Sequence, residues 1–127
     1  MLTSGIINRA IEECKQSTFR VHLGAVVFKG KRIISSGHNG IRSSSINNRY
    51  KEWLNALHAE QAALMGLDWT RLSGYSLLVL RVSKTMEVLG NAKPCSMCQG
   101  LIKTIGLKDV YYSDHHGQIV KLDWSKI

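Results

Sequence analysis

Two short stretches carry the side chains whose types and spacing could do chemistry: Leu57-His58-Ala59-Glu60 and Pro94-Cys95-Ser96-Met97-Cys98. One imidazole and two thiols are donors that a tetrahedral zinc takes. Three protein ligands leave the fourth position to water, the mark of a catalytic rather than a structural site. Water held there is acidified to a pKa of about 7, so a nucleophile exists at neutral pH without strong base. Glu60 stands two residues from His58, close enough to take the water proton and pass it on. His58, Cys95 and Cys98 are therefore candidate Zn2+ ligands, and Glu60 is the candidate catalytic acid–base. Each half is weaker alone. A single histidine is more often packed or solvated, and C-x-x-C can be a redox pair, which would leave His58 and Glu60 unused. A structural zinc would need a fourth ligand from Cys14, His22, His38, His115 or His116.

The spacing constrains the elements that must hold these groups. Cys95 and Cys98 are i and i+3, so a helix puts both sulfurs on one face. Pro94 is suited to start that helix, since it lacks only an N–H that would be unpaired there. Thiolates near a helix N-terminus are favoured by the dipole and become better metal ligands. His58 and Glu60 are i and i+2 and would point roughly 200° apart on a regular helix. They can share a site only at a helix start or helix end. The spacing thus predicts a helix beginning near His58, with Asn55 as a cap.

At 127 residues the chain is expected to be one domain, residues 1–127. Hydrophobic residues make up 44% of it and there is one proline, which excludes a disordered or fibrous protein. Three cysteines, two of them assigned to metal, argue against a disulfide framework and for a reducing, cytoplasmic setting. Cys14 falls on the apolar face of the first helix as a core thiol. No run reaches transmembrane length and the N-terminus lacks a signal-peptide core, so no membrane role is expected. The net charge of +8 fits an anionic partner, and fits a generally basic surface equally well. It is concentrated: residues 39–57 carry Arg42, Arg49 and Lys51 against Glu52, and residues 81–94 carry Arg81, Lys84 and Lys93 against Glu87.

Around the motifs, Ile6, Ile7, Ala10, Ile11 and Cys14 recur at helical spacing. Val21 to Phe28 is a nearly unbroken apolar strand, buried on both faces, and Ile33 to Gly37 returns beside it as a hairpin. Asn39 to Glu52 reads as a loop. The first motif helix carries Leu57, Ala62, Leu64 and Met65 and stops at Gly66, and Trp69 and Leu72 cover the core after it. Tyr75 to Val82 is a third strand, Cys95 to Gly106 the second motif helix, and Asp109 to Tyr112 a fourth strand. Only Ser113 to Gly117 separates this from Gln118 to Leu122. That link is too short for a parallel crossover, so the fifth strand must run antiparallel to the fourth. The order is that of a three-layer α/β/α protein with a five-stranded mixed sheet ending in an antiparallel hairpin.

Taken in order, His58-Ala59-Glu60 and Pro94-Cys95-Ser96-Met97-Cys98 resemble the H-x-E and P-C-x-x-C signature of zinc-dependent nucleobase deaminases. Leu23-Gly24-Ala25-Val26-Val27 with Ser36-Gly37-His38-Asn39-Gly40 is similar to the first hairpin of deoxycytidylate and tRNA adenosine deaminases. Gly106 to Tyr112 resembles the strand after the second motif. The resemblance to the cytidine deaminase superfamily covers most of the chain. It implies the α/β/α cytidine deaminase-like fold, Zn2+ as cofactor, a hydrolase, a homo-oligomer, and a substrate contact at Asn39, which otherwise reads as a turn asparagine. A base entering a closed pocket would also meet Ala59, with His38, Trp53 and Tyr112 as wall candidates, although Trp53 at helix spacing from Leu57 is more often a core residue. Two patterns are mixed here. Deoxycytidylate and tRNA deaminases usually place a helix between strands four and five. Free-cytidine deaminases have the terminal hairpin but usually carry Cys before Ala-Glu.

The reaction implied is hydrolytic deamination at C4 of cytosine or C6 of adenine, with ammonia released. Hairpin-ended members act mostly on cytosine-like rings, so a cytosine nucleotide is the expected substrate. The alternative is single-stranded nucleic acid, with cytosine in DNA or RNA or adenosine in tRNA as the target. A reading from another class is an inactive deaminase-fold binding module, which predicts loss of Glu60 or a ligand. All four residues are present.

Overall fold

Ile6, Ala10 and Cys14 fall one above another at i, i+4 and i+8, and all three are fully buried in helix α1 (Ser4–Gln16). Thr3 caps it, its hydroxyl accepting from the Ile6 N–H at 3.2 Å. The structure is a computed structural model that describes residues 2–17, 22–41, 56–57, 59–83, 89–94 and 96–123. After α1 come the strands β1 (His22–Lys29) and β2 (Arg32–His38), then two short strands, β3 (Gly40–Ile41) and β4 (Ala56–Leu57). Helix α2 (Ala59–Leu64) follows, with a 3-10 turn at Trp69–Arg71 and strands β5 (Ser76–Val82) and β6 (Leu89–Gly90). Helix α3 (Ser96–Ile105), β7 (Asp109–Ser113) and β8 (Ile119–Lys121) complete the order.

Among the described residues the main sheet runs β2-β1-β5-β7-β8, with β6 on the end of β5. β5 and β7 are parallel and the other pairs antiparallel, so the sheet is mixed. The short link to β8 has the expected consequence: Tyr111 pairs with Lys121, Tyr112 with Val120 and Ser113 with Ile119 in an antiparallel hairpin.

Strand alternation sorts the core into two layers. Ala25, Val27, Leu77, Val79 and Val110 pack against α2 and α3 through Ala59, Ala63, Leu64, Ile102 and Ile105. Val26, Phe28, Leu78, Leu80 and Val82 pack against α1 through Ile6, Ala10 and Cys14. β5 is therefore covered on both faces, which is why it reads as an unbroken apolar run. Each fully buried leucine of β5 (Leu77, Leu78, Leu80) contributes about 1.5–3 kcal/mol of burial.

Two glycines set how closely the helices approach. A Cβ at Gly24 would lie 2.4 Å from Ala10 O and 2.8 Å from Cys14 N, and one at Gly37 2.6 Å from Ala62 Cβ and Ala63 N. Backbone stands against backbone at both places, so neither neighbour can swing aside. Gly24→Ala and Gly37→Ala are each expected to cost about 1–3 kcal/mol or more in urea denaturation. Gly100, inside α3 with nothing within 4 Å of an added Cβ, is the opposite case. Gly100→Ala should stabilise by about 0.5–1 kcal/mol. If all three changes have the same sign, close helix approach is not what those two glycines provide.

Several expectations are corrected. Among the described residues the sheet has six strands rather than five, because β6 adds to the end of β5. Leu57 lies in β4, paired with Gly40, and not on the motif helix. Met65 and Trp69 are 38% and 45% exposed rather than core residues. Trp69 instead caps α2, its indole N–H donating to Leu64 O at 3.0 Å. Leu72 is buried as expected. No helix among the described residues is long and apolar enough to cross a membrane.

Candidate metal centre and active site

The pairing pattern brings several chain ends together. Gly24 at the start of β1 pairs with His38 at the end of β2, and His22 pairs with Val82 at the end of β5. From β2 the chain passes Asn39 into β3, which pairs with β4, and α2 opens two residues beyond β4. α2 therefore begins at the end of the sheet where β5 finishes. β6 leads through Asn91 to Pro94 into α3, and the Ala92 N–H donates to Ser113 O at 2.8 Å, at the C-terminal end of β7. Both motif helices thus start on one face of the sheet, at the carboxyl ends of its parallel strands. That is where open α/β sheets place ligands.

Glu60 is the second residue of α2 and only 4% exposed; Cys98 is the third residue of α3 and 1% exposed. A carboxylate hidden in a first helical turn is costly as a core residue and apt as a site residue, whereas a buried thiol is common in cores and is marked out at Cys98 by its motif. The first turn of α3 favours a thiolate at Cys98 through its dipole. Gln99 secures the entry, its amide donating to Pro94 O at 2.6 Å. His58 and Cys95, the other two candidate ligands, lie outside the described residues, as do Trp53 and the proposed cap Asn55. Among the described residues no three His, Cys, Asp or Glu side chains cluster. The donors fit zinc in kind: a buried thiol in the motif, one imidazole and one further thiol in sequence, with a buried carboxylate left for proton transfer.

The remaining candidates divide by face. Ala59 is fully buried in the core, so it can meet a ligand only through backbone groups, and its N–H belongs to the unpaired first turn of α2. Tyr112 packs on this same core, half-buried. Asn39 is 4% exposed, and its amide oxygen accepts from the Leu23 N–H at 2.9 Å and lies 2.7 Å from Ser17 Oγ. These contacts fix which way the amide faces.

His38 is held on the other face of β2. Alternation along β2 sends Ser35 and Gly37 to α2 and Ser36 and His38 to α1. There His38 Nδ1 meets Glu13 Oε1 at 2.8 Å, while Ser36 Oγ donates to Glu13 Oε2 and Arg9 Nε donates to Ser36 Oγ at 3.0 Å. Nothing local in the sequence marks Glu13, because its partners lie 23 and 25 residues away. Burial alone would raise its pKa, but the hydrogen bonds from Ser36 and His38 and the charges of His38 and Arg9 outweigh it and hold the carboxyl below its ordinary value. The unfolded chain then takes up the proton first on acidification. The stability from Glu13 is complete above the ordinary carboxylate range and is lost as pH falls through the folded value. Glu13→Gln should flatten the acid side of a stability–pH profile. An unchanged acid side means that the carboxylate is not held in its charged form.

Cys14 is not a ligand candidate in this geometry. It is fully buried under α1, its Sγ 3.3 Å from Leu80 O, and burial pushes its thiol up to about 12. His22 is held locally, Nδ1 lying 3.1 Å from Ser17 O.

Known proteins show the same architecture. A cytidine deaminase from Burkholderia pseudomallei superposes with a TM-score of 0.68 at 17% identity, covering 97% of this chain and 93% of that one. A dCMP deaminase from the cyanophage S-TIM5 gives 0.57 at 24% identity over 90% and 86% of the two chains. A deaminase of A-to-I editing at the wobble position of transfer RNA gives 0.57 at 24% identity over 88% and 76%. At these identities the likeness is one of fold. No curated protein sequence matches the chain. The profile of the cytidine and deoxycytidylate deaminase zinc-binding region matches residues 3–114, from the first helix to the turn after β7. With nearly the whole chain matched, both motifs included, the protein belongs to the cytidine and deoxycytidylate deaminase zinc-binding family.

Proposed function

We propose that the protein is a zinc-dependent hydrolase that deaminates the cytosine base of a nucleotide to uracil with release of ammonia. The observation that carries this reading is the burial of Glu60 and Cys98 in the first turns of two helices that open on one face and one end of the sheet. In this reading His58, Cys95 and Cys98 hold one zinc, which when bound acidifies a water and so supplies the nucleophile. Glu60 accepts a first water proton at its carboxylate and delivers it to the ring nitrogen beside the attacked carbon. The second proton, from the hydroxyl now on that carbon, passes through the same carboxylate to the departing amine, which leaves as ammonia while the carbonyl forms. The low exposure of Glu60 keeps those protons from exchanging with solvent between steps. Asn39, with its amide oxygen tied to Leu23, presents a fixed amide at the strand end beside α2. Tyr112 and the backbone of Ala59 complete the wall.

Cytosine is preferred over adenine because β8 runs antiparallel to β7, as in the hairpin-ended members of the family. The protein would work in the cytoplasm on a soluble or single-stranded substrate, as a homo-oligomer by analogy with its family. Product analysis on a panel of cytidine, dCMP, dCTP, single-stranded DNA and tRNA tests the reading. Conversion of a cytosine nucleotide to its uracil counterpart supports it. Inosine formation in tRNA with no uracil product rejects cytosine as the target, and no turnover with any of the five favours a binding module.

A further inference from the structure

Helix α1 ends at Gln16, and Ser17 follows as its C-cap, the Ser17 N–H donating to Cys14 O at 3.1 Å. The Ser17 carbonyl lies 3.1 Å from His22 Nδ1. Both contacts are made by the backbone, so a residue of another type could make them. The hydroxyl has a different partner. Ser17 is buried, and its Oγ lies 2.7 Å from Asn39 Oδ1 and 2.9 Å from Asn39 O, on a residue 22 positions away in the chain. A hydroxyl has one proton and both of those oxygens only accept, so Ser17 shares its proton between the side chain and the main chain of Asn39.

Leu23 holds Asn39 from a second side. The Leu23 N–H donates to Asn39 Oδ1 at 2.9 Å, and the Asn39 N–H donates to Leu23 O at 3.2 Å. A backbone N–H can only donate, so Leu23 decides that the oxygen of the amide, and not its nitrogen, faces β1. One bond to that oxygen still lets the amide pivot, because the last torsion of an asparagine is broad and has no sharp preference of its own. The second bond comes from a different element, the end of α1, and fixes the plane. With its oxygen engaged twice, what Asn39 can give a substrate is an N–H, to be met by an acceptor atom.

The neighbouring chain shows where that amide stands. Ser35 Oγ donates to Ala63 O at 2.6 Å, a Cβ at Gly37 would meet Ala62 and Ala63, and Gly40 pairs with Leu57. Residues 35–40 thus run alongside α2 from its last turn to its start. Position 39 passes level with the first turn, where Glu60 is buried.

We propose that Ser17 is a positioning residue of the enzyme: its hydroxyl fixes the plane of the Asn39 amide, so that Asn39 meets an acceptor on the substrate already ordered. The proposal rests on the deaminase reading above and adds a residue that lies in neither motif and acts through Asn39. A side chain ordered before binding spares the complex the entropy of ordering it then.

Ser17→Ala removes the hydroxyl and keeps both backbone contacts, and Ser17→Thr restores a hydroxyl. Cys14→Ala, on the same helix, controls for loosened packing of α1. On whichever of the five substrates named above the wild type turns over, Ser17→Ala should raise KM roughly 3- to 15-fold, with kcat changed far less. Cys14→Ala should lower the melting temperature and leave KM unchanged. In isotope-labelled protein the heteronuclear NOE of the Asn39 amide nitrogen should be as high as that of the backbone, fall in Ser17→Ala and recover in Ser17→Thr. A rigid amide in Ser17→Ala overturns the proposal, as does a mobile one with KM unchanged. So does a rise in KM that Cys14→Ala reproduces, or a folded Ser17→Thr that recovers neither quantity. If Ser17→Thr does not fold, Ser17→Ala against Cys14→Ala decides. If the wild type turns over none of the five, deamination fails and calorimetric titration with dCMP replaces KM. Binding that weakens in Ser17→Ala as the amide loosens then upholds Ser17, and binding that is absent or indifferent to the change removes it.

Discussion

Glu60→Gln is expected to abolish turnover while the protein stays folded and keeps its zinc. Glutamine has the size and shape of glutamate, so a side chain that is 4% exposed in the first turn of α2 can be exchanged without opening a cavity. What it cannot do is take a proton from water or return one to the ring. Loss of a positioned acid–base group typically costs about 10²–10⁴-fold, and here one group is assigned both transfers. Ammonia release, metal analysis and thermal unfolding should be measured together on the same preparation. If zinc leaves with the activity, Glu60 is a ligand and the assignment of roles is wrong. If turnover survives within tenfold, the proton is carried by another group.

Cys98→Ala should remove the metal and with it both activity and part of the stability. The unmodified protein should hold one zinc per chain. Chelation should lower its melting temperature, because a ligand that binds only the folded state stabilises it by mass action, about 2.7 kcal/mol at a hundredfold excess over Kd. In Cys98→Ala the melting temperature should no longer respond to chelator. Cys14→Ala is the matched control. That thiol is equally buried, but its proton is held to about pH 12 under α1. Its removal costs core packing and should leave the zinc content untouched. A Cys98→Ala protein that keeps one chelator-sensitive zinc would reduce Cys98 to a core residue.

Local sequence made much of the fold legible. The spacing of Ile6, Ala10 and Cys14 dictated a one-sided helix, and the apolar run from Leu77 to Leu80 dictated a strand covered on both faces. The length of the link from Ser113 to Gly117 excluded a parallel crossover, and β8 pairs antiparallel as that requires. The motif helix opens at Ala59, where the i, i+2 relation of His58 and Glu60 placed its start. Such features rest on contacts a few residues apart or on the reach of a short loop, so a pattern rule can find them.

What the sequence determined by itself, then, is the chemistry available and the order of the elements: one imidazole, two motif thiols and one carboxylate, each next to a helix start, on an α/β/α chain. Tertiary structure decided which groups share a face. It set His38 against Glu13 on α1, and tied Asn39 to Leu23 at the strand end beside α2. It made Gly24 and Gly37 the points where helix backbone meets the sheet. It also brought the Ser17 hydroxyl, at the end of α1, onto the amide of Asn39. The reason is the period of the strand. Neighbouring residues point to opposite faces, so the role of Ser36 or His38 depends on strand register and on a helix that lies far away in the chain.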